Sequence, residues 1–453
     1  MARANHAWAA LAVATLLLGA CGGGGGGNAA GDPGAPASCA EPERKDWLRA
    51  YMGAWYLWAE VGPSPDPAPF ATLDAYFDAL RYEGDGVVPP DRFSFFQSTE
   101  SYERFYGEGR TLGYGLFVAG LEVEGRPELP LRVRHVEPAS DAGRQGLQRG
   151  DRILTLNGRP AAELVARGDF ALLSPAAEGD RLALTVQGGD DTERTLTLTA
   201  SVYALTPVPV DRVLDSPGGR RVGYLMVKDM VPQALAPLDA AFARFAGAHV
   251  DELVLDLRYN GGGRVTVGRT LASYVGGARS AGADYTRLLY NAQQAAREDR
   301  SYGFENPPAA LGLPRVVVLT GPRTCSASEQ VVNGLAPFVD VVVIGDTSCG
   351  KPVGSLPRND GCGRTWSVVN FESVNATGQG RWYAGFAPAC AAGDDLDHAL
   401  GDAAEGLLGA ALTYLDHGVC PADARRAVPL AAPRGPLRAR GTEPGVAPAM
   451  VAD

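Results

Sequence analysis

The segment Thr-Cys-Ser-Ala-Ser-Glu at residues 324–329 is followed by Gly-Asp-Thr-Ser-Cys-Gly-Lys-Pro at residues 345–352. These two segments place Ser326 at the predicted start of a helix and Lys351 just past the next strand, 25 residues later. A serine hydroxyl becomes an effective nucleophile when a base takes its proton, and a neutral lysine can be that base. If the two side chains meet, the pair predicts a hydrolase that works without a catalytic histidine.

The sequence around this pair alternates between strand-like and helical patterns. Apolar runs at 253–257, 315–319 and 341–345 are typical of buried strands, and residues 232–245 have apolar positions three and four apart, as a helix does. Strands that alternate with helices predict a largely parallel sheet. We therefore expect an α/β catalytic domain over 206–422, followed by a Pro-, Ala- and Arg-rich disordered tail over 423–453.

The first 21 residues have the pattern of a bacterial lipoprotein signal. The apolar stretch at 7–18 is too short to span a membrane and ends in Leu-Gly-Ala-Cys. A small residue pair before a cysteine resembles a lipobox, in which Cys21 is lipidated, and an ordinary cleaved signal is the alternative. We expect an exported protein of the bacterial cell envelope, lipid-anchored and facing the periplasm or cell surface, with residues 22–40 as a flexible linker.

Composition limits the partners and the redox compartment. A net charge of −11 without a long basic run argues against nucleic acid and against anionic membrane surfaces, so contact with a membrane is expected only through Cys21. No spacing resembles a zinc site, and no metal or cofactor is expected. Six other cysteines favour disulfides outside the cytoplasm, and Cys349–Cys362 and Cys390–Cys420 are the pairings we expect.

Two further domains are predicted before the catalytic one. Large apolar residues three, four and seven apart over 41–60 predict an amphipathic helix, and residues 72–80 predict a second, which together give a helical domain over 41–107. Residues 108–205 change to short β-like runs at 114–118, 131–136, 152–156, 181–186 and 194–198. The chain is therefore expected to be a mixed α+β multidomain protein.

The β-rich region resembles a PDZ domain. A short helical segment follows the strand at 131–136, and a Gly-Asp turn opens the next strand into Leu-Asn-Gly. The segment Gly113, Tyr114, Gly115 and Leu116 lies where that family has its carboxylate-binding loop. Small residues let backbone amides converge on a peptide carboxylate, and the peptide adds as a strand at the sheet edge. A glycine turn before an ordinary strand is the alternative.

Three segments together resemble the C-terminal-processing peptidases, also called tail-specific proteases. They are Asp-Leu-Arg-Tyr-Asn-Gly-Gly-Gly at 256–263, Ser-Ala-Ser-Glu at 326–329 and Gly-Lys-Pro at 350–352. The resemblance covers residues 40–420 and includes the order of a PDZ domain before the catalytic domain. It implies a crotonase-like catalytic fold and a serine endopeptidase whose protein or peptide substrates are recognised through their C-terminal ends.

The resemblance also assigns roles to single residues. Ser326 is the expected nucleophile and Lys351 the expected general base, acting through an acyl-enzyme. The amide of Ala327 at the helix start is one expected oxyanion donor. The second is expected from Gly262, with Gly263 as the alternative. A tight strand-to-helix turn explains the same glycines structurally, and the two explanations are compatible because the donors are backbone groups.

Two points leave the function open. Lys351 must lose its proton near neutral pH, which requires burial in apolar surroundings, and its sequence neighbours carry no acid. Relatives carry a glutamine four residues after the lysine, whereas here Ser355 stands there, as a candidate for orienting the amine. A catalytically inactive peptide-binding scaffold is therefore the alternative function. A Cys325 nucleophile lacks the 25-residue spacing, and a phosphate cradle at 261–263 lacks the accompanying motif.

Overall fold

The structure, a computed structural model, describes residues 33–421 and 448–452. The predicted signal, the lipidation site Cys21 and most of the predicted linker lie outside the described residues. Among the helices that are described, none combines the length and apolar character that crossing a membrane requires. Cys39, at the end of the predicted linker, forms a disulfide with Cys362.

The N-terminal region contains the two helices that the apolar spacing predicts, followed by a short strand, a third, four-residue helix and a π-helical turn. The first helix ends at Trp55, earlier than residue 60, because Leu57 leaves the helix and donates its amide to the carbonyl of Val369 at 2.9 Å. The elements are α1 (Glu41–Trp55), α2 (Leu73–Leu80), β1 (Phe95–Ser98), α3 (Thr99–Tyr102) and a π-helical turn at Glu103–Gly107.

The N-terminal helices share their core with the catalytic region. Trp366, which is fully buried, lies with its ring centroid 5.1 Å from that of Phe77 and 4.8 Å from that of Phe96. The strand β1 pairs with the strand that carries Trp366. The helical region therefore packs as one layer of a larger hydrophobic core rather than around a core of its own.

The β-rich region has a separate hydrophobic core. Of the predicted strand at 114–118 only residues 116–118 form a strand, because Gly115 has a φ of +77°, which a continuous strand does not accommodate. The elements are β2 (Arg110–Gly113), β3 (Leu116–Val118), α4 (Gly120–Val123), β4 (Leu131–Val136), α5 (Asp141–Arg144), β5 (Arg152–Leu156), β6 (Arg159–Pro160), α6 (Ala161–Arg167), a 3-10 turn at Ala171–Leu173, β7 (Arg181–Gln187), β8 (Glu193–Thr199) and β9 (Ser201–Ala204). The main sheet has the order β3-β4-β5-β7-β8.

The catalytic region is built on a six-stranded sheet whose inner strands are parallel. Its first part contains β10 (Val210–Asp215), β11 (Arg221–Met226), a 3-10 turn at Pro232–Ala234, α7 (Leu235–Gly247), β12 (Glu252–Asp256), β13 (Gly262–Arg264), α8 (Val265–Gly276), a 3-10 turn at Gly277–Arg279, β14 (Asp284–Tyr290), α9 (Ala295–Glu298) and β15 (Arg300–Gly303). Its second part contains β16 (Arg315–Thr320), α10 (Ala327–Leu335), β17 (Asp340–Gly345), β18 (Val353–Gly354), β19 (Arg358–Asn359), β20 (Arg364–Ser367), β21 (Phe371–Val374), β22 (Cys390–Ala391), α11 (Gly406–His417) and β23 (Ala449–Val451).

Alternate residues of the buried strands face two different layers. The sheet order is β10-β11-β12-β16-β17-β22, with parallel pairing from β11 onward. Leu255 and Val318 pack in the core with α7, α8 and α10, whereas Val254 and Val317 pack in the core with α11. The expected α/β fold class is confirmed, and the carboxyl ends of β12 and β16 meet at one edge, where both sequence motifs begin.

The prediction of a disordered tail over 423–453 is wrong for residues 448–452. This segment, called here the 448–452 segment, forms β23 and is almost completely buried. It pairs in parallel with β13, with Ala449 opposite Gly262. Its composition of Pro, Ala and Met suggested no regular structure, but a strand can form wherever an exposed backbone edge supplies its hydrogen bonds.

Candidate active site

Ser326 lies between β16 and α10, with its side chain fully buried. It is the residue before the first turn of α10, and its φ of 64° and ψ of −117° are rare for a residue with a side chain. The backbone before it is fixed, because Cys325 donates to the carbonyl of Asn260 at 3.1 Å. Within the described residues, Ser326 Oγ has no hydrogen-bond partner. The hydroxyl is therefore buried on a strained backbone, at the start of α10.

The carboxylate of Glu329 holds the Ser326 and Lys351 segments together. Its Oε2 accepts from the amide of Ser326 at 2.9 Å and from the amide of Lys351 at 2.8 Å. Its Oε1 accepts from the amide of Gly350 at 2.8 Å and from Ser348 Oγ at 2.6 Å. Two segments separated by more than twenty residues thus meet at one buried oxygen atom.

Sequence reasoning quoted Glu329 within the motif but gave it no role. The available signal was the Ser-x-x-Glu spacing, because a glutamate three residues after a helix N-cap often accepts from the N-cap amide. The second set of contacts, with the segment at 348–351, could not be read from local spacing. Burial raises the pKa of Glu329, although the four hydrogen bonds that its carboxylate accepts favour the ionised form.

A disulfide reinforces the same junction. Cys325, immediately before the serine, is bonded to Cys349, two residues before the lysine. The expected pairing of Cys349 with Cys362 is therefore wrong, whereas the expected pairing of Cys390 with Cys420 is confirmed. Cys325, Glu329 and Cys349 bring metal-binding atom types together, but the two sulfur atoms are bonded to each other and so are not thiolate ligands.

Lys351 is buried in a largely aromatic environment. Its Nζ lies 5.9 Å from the ring centroid of Phe93 and 5.7 Å from that of Phe95. Burial lowers the pKa of Lys351 to about 8, although the Asp91 and Glu329 carboxylates oppose the change. The absence of acids among the sequence neighbours did not reveal these two groups, which tertiary packing brings in. The amine is nevertheless neutral in a substantial fraction of molecules at mildly alkaline pH.

The lysine amine contacts a carbonyl and not the serine. Lys351 Nζ donates to the carbonyl of Pro448 at 2.6 Å, and no hydrogen bond joins it to Ser326 Oγ or to Ser355 within the described structure. Ser355 instead pairs through its backbone with Val451. The 448–452 segment therefore contacts both the amine of Lys351, the expected base, and the backbone of Ser355.

The amide of Gly262, in the glycine turn after β12, donates to Asn260 Oδ1 at 2.8 Å. The roles of Gly262 and, as the alternative, Gly263 as oxyanion donors stay predictions, and the occupied amide of Gly262 favours Gly263. Ala327 begins α10, so its amide precedes the helical hydrogen-bond ladder. A Cβ at Gly262 would lie 2.9 Å from the Ala327 nitrogen and 2.3 Å from Ala449 O. The carbonyl of Ala449 and the amide of Ala327 therefore both lie close to Gly262.

The residues of the expected carboxylate-binding loop end β2 and begin β3. Gly113, Tyr114, Gly115 and Leu116 are all buried. A Cβ at Gly115 would lie 1.9 Å from Cβ and Oγ of Ser140, so this position excludes a side chain. In the described residues β3 pairs only with β4, which leaves its other edge without a strand.

Charged pairs connect the β-rich domain to the segments that precede Ser326 and the glycine turn. Arg323, three residues before the serine, forms a two-pronged pair with Glu122 of α4, at 3.2 Å and 3.1 Å. Arg149 contacts Asp394 at 2.7 Å, and the same carboxylate contacts Arg258 at 3.1 Å. Arg258 lies in the segment that leads to the glycine turn. The β-rich domain therefore contacts both segments that build the site.

The comparisons with known proteins agree with this geometry. The family model described as peptidase family S41 matches residues 221–385, which include the glycine turn, Ser326, Glu329 and Lys351. A second model, described as the peptidase S41 N-terminal domain, matches residues 43–95. Over these two ranges the chain is similar to peptidase family S41. The expected relation to C-terminal-processing peptidases is thereby confirmed.

The individual relatives are distant in sequence. A carboxyl-terminal-processing protease of Picosynechococcus is 27% identical over 56% of this chain and 59% of its own length. The chloroplastic carboxyl-terminal-processing peptidase 2 of Arabidopsis thaliana is 26% identical over 59% of this chain and 51% of its own length. The match thus spans between half and two thirds of these curated relatives.

A solved structure matches more of the chain. A crystal structure from Bacteroides fragilis, whose protein is assigned to the S41 proteases, covers 82% of this chain and 97% of that chain. The TM-score is 0.65 at 25% sequence identity. The arrangement of helices and sheets described above is therefore that of an S41 protease fold.

Proposed function

We propose that this protein is a serine endopeptidase in which Ser326 and Lys351 form the catalytic pair. The observation that carries the proposal is the shared Glu329 oxygen, which accepts from the amides of both residues. A buried carboxylate that fixes two distant segments supports a preorganised site, and such sites lower barriers without reorganisation during the reaction.

The chemistry follows from the groups present. Neutral Lys351 takes the proton of Ser326 Oγ as the oxygen attacks a peptide carbonyl carbon. The negative oxygen of the tetrahedral intermediate accepts from the amides of Ala327 and Gly263. The C–N bond then breaks, Lys351 returns the proton to the leaving amine, and water hydrolyses the acyl-enzyme. Losing one oxyanion donor typically costs about 10²–10³ in kcat.

The β-rich domain is proposed to act as a PDZ-like module for the C-terminal ends of substrates. The unpaired edge of β3 can accept a peptide as an added strand, and the loop at 113–116 begins that edge. Contacts of Arg323 with Glu122 connect this domain to the segment that carries the serine. Occupation of the peptide edge can therefore influence the catalytic segment.

The proposed location is outside the cytoplasm. Three disulfides among the described residues support an oxidising compartment. The lipobox pattern at Cys21 further supports a lipid anchor in the bacterial cell envelope. The substrates proposed are accordingly exported proteins or peptides.

Hydrolysis of an unfolded protein with an apolar C-terminal end tests the proposal. Ser326→Ala and Lys351→Ala are expected to abolish turnover, whereas Ser64→Ala, at an exposed serine, serves as the matched control and keeps it. Turnover by the Ser326 or Lys351 variant at the rate of the control would refute the mechanism.

One observation favours the alternative of an inactive peptide-binding scaffold. Lys351 Nζ donates to Pro448 and makes no hydrogen bond with Ser326 within the described structure. Reaction of the wild-type protein with a serine-directed fluorophosphonate, lost in Ser326→Ala, would count against the scaffold. Peptide binding without labelling or turnover would support it.

A further inference from the structure

The 448–452 segment is bound as an additional strand between two parts of the catalytic region. On one side, the amide of Ala449 donates to the carbonyl of Gly261 at 3.1 Å. On the other, the amide of Ser355 donates to Met450 O at 2.8 Å, and the amide of Ala452 donates to Ser355 O at 3.1 Å. Main-chain hydrogen bonds of this kind are a common way in which proteins bind an extended peptide.

This strand also lies against the catalytic groups. Lys351 Nζ contacts the carbonyl of Pro448, and the parallel register directs the Ala449 carbonyl toward the amide of Gly263. The position of a Cβ at Gly262 is 2.3 Å from Ala449 O and 2.9 Å from the amide nitrogen of Ala327. Of the carbonyl groups in the segment, that of Ala449 is therefore the one beside the proposed oxyanion donors.

We propose that the 448–452 segment is a substrate of its own chain, cleaved at the Ala449–Met450 bond. The inference rests on the proposed peptidase function and adds to it a modification site within the protein. A tethered segment is present at a high effective concentration, so it occupies the cleft before an external substrate does.

Cleavage of the Ala449–Met450 bond requires no reactant other than water. Ser326 Oγ forms a bond with the carbonyl carbon of Ala449, and its proton passes to Lys351. The bond from that carbon to the nitrogen of Met450 breaks, and the nitrogen receives the proton. Water then hydrolyses the ester, which leaves a carboxylate on Ala449, a free amine on Met450 and a restored serine.

The surroundings of the bond indicate the substrate class. Ala449 is 1% exposed and Met450 is completely buried, with Sδ 3.4 Å from Gln330 Nε2. There is room for a small side chain before the cleaved bond and for a flexible apolar one after it. External substrates with the pattern of a small residue followed by an apolar residue should therefore be cleaved best.

Mass spectrometry of the purified full chain tests the proposal. The wild type is expected to end at Ala449, with loss of the residues from Met450 onward, whereas Ser326→Ala retains them. Ala449→Arg should block the cleavage because the site has no room for the side chain, and the same change at the exposed Ala68 is the matched control and is processed. Dilution should leave the rate of processing unchanged, since the reaction occurs within one chain.

Hydrolysis of added casein by the same preparations separates the two proposals. A wild type that hydrolyses casein but keeps Met450 on prolonged incubation overturns self-processing and leaves the peptidase function standing. Cleavage at another bond, or a rate that rises with protein concentration, overturns the assignment to Ala449–Met450 within one chain. A wild type that does neither reaction overturns both proposals. The comparison of wild type with Ser326→Ala remains decisive if Ala449→Arg does not fold.

Discussion

Peptidase activity should depend on pH through Lys351, because only the neutral amine can take the serine proton. Burial lowers the pKa of this side chain to about 8 from its usual value of 10.5. About half of the amines are then neutral at pH 8 and about 1% at pH 6. An exposed lysine would be about 0.4% neutral at pH 8, so burial increases the reactive fraction there by about a hundredfold.

The assay is kcat/KM for a fluorogenic peptide measured from acid to alkaline pH. The value should rise about tenfold per pH unit below pH 8 and level off above it, since kcat/KM reports ionisation of the free enzyme. A rise that continues to the pKa of an ordinary lysine would show that burial does not control the base. A flat profile in acid would show that Lys351 is not the base.

Lys351→Arg sharpens the test because a guanidinium remains protonated at every pH used. The activity should fall by about 10²–10⁴, the usual contribution of a general base. Lys45→Arg is the matched control, since Lys45 is also buried but donates to the carbonyl of Phe70 far from the site in sequence. A Lys351→Arg enzyme with the profile of this control would refute the reasoning.

The same burial has a consequence for stability. Because the folded-state pKa lies below the unfolded value near 10.4, folding with Lys351 costs about 3 kcal/mol below pH 8, and this cost disappears above the unfolded value. Lys351→Met removes the charge and also the hydrogen bond with Pro448, which is worth about 1 kcal/mol. Urea unfolding at neutral pH should therefore show a net gain of about 2 kcal/mol, which turns into a net loss of about 1 kcal/mol in alkali, where only the loss of the hydrogen bond remains.

Three further substitutions probe the scaffold of the site. Glu329→Gln faces backbone amides with a donor group and should cost about 2–4 kcal/mol in the free energy of unfolding, together with a lower kcat. Replacing Cys325 and Cys349 by alanine opens a loop of 24 residues and should lower the free energy of unfolding by about 3 kcal/mol. Gly115→Ala meets Ser140 at 1.9 Å and should destabilise the β-rich domain and weaken peptide binding, measured by thermal unfolding and peptide titration.

Matched variants separate these effects from general damage. Replacing Cys390 and Cys420 opens a loop of similar length, 30 residues, and should lower stability by a similar amount while leaving kcat unchanged. Gly125→Ala has a φ of +73° but no atom within 4 Å, so it should cost only the roughly 1–2 kcal/mol of the backbone conformation. Equal losses in Gly115→Ala and Gly125→Ala, or equal effects of both cysteine pairs on kcat, would contradict the structural account.

The small number of lysines in the chain is a further indication that Lys351 is the base. Only three of the 41 Lys and Arg residues are lysines, namely Lys45, Lys228 and Lys351, and all three are buried. Arginines supply the other positively charged side chains of the Lys and Arg group, but a guanidinium does not deprotonate in a protein. A proton-accepting role at position 351 therefore requires a lysine and not an arginine.

Local patterns were sufficient for most elements and for the proposal of the two catalytic residues. Apolar periodicity predicted the strands at 131–136 and 152–156 at the bounds observed. The reason is that the backbone repeat of a strand fixes which face each side chain occupies. The serine and the lysine were recognisable because each follows a predicted strand by a few residues.

Contacts between distant segments were decided by tertiary structure. The sequence suggested Gly262 as an oxyanion donor, but its amide bonds Asn260, and it suggested disorder for a segment that forms a buried strand beside Lys351. It paired Cys349 with the wrong cysteine for the same reason. The sequence by itself therefore determined which residues can do the chemistry. Only packing decided which atoms they meet, because a hydrogen bond or a lowered pKa depends on the groups that folding brings within a few ångströms.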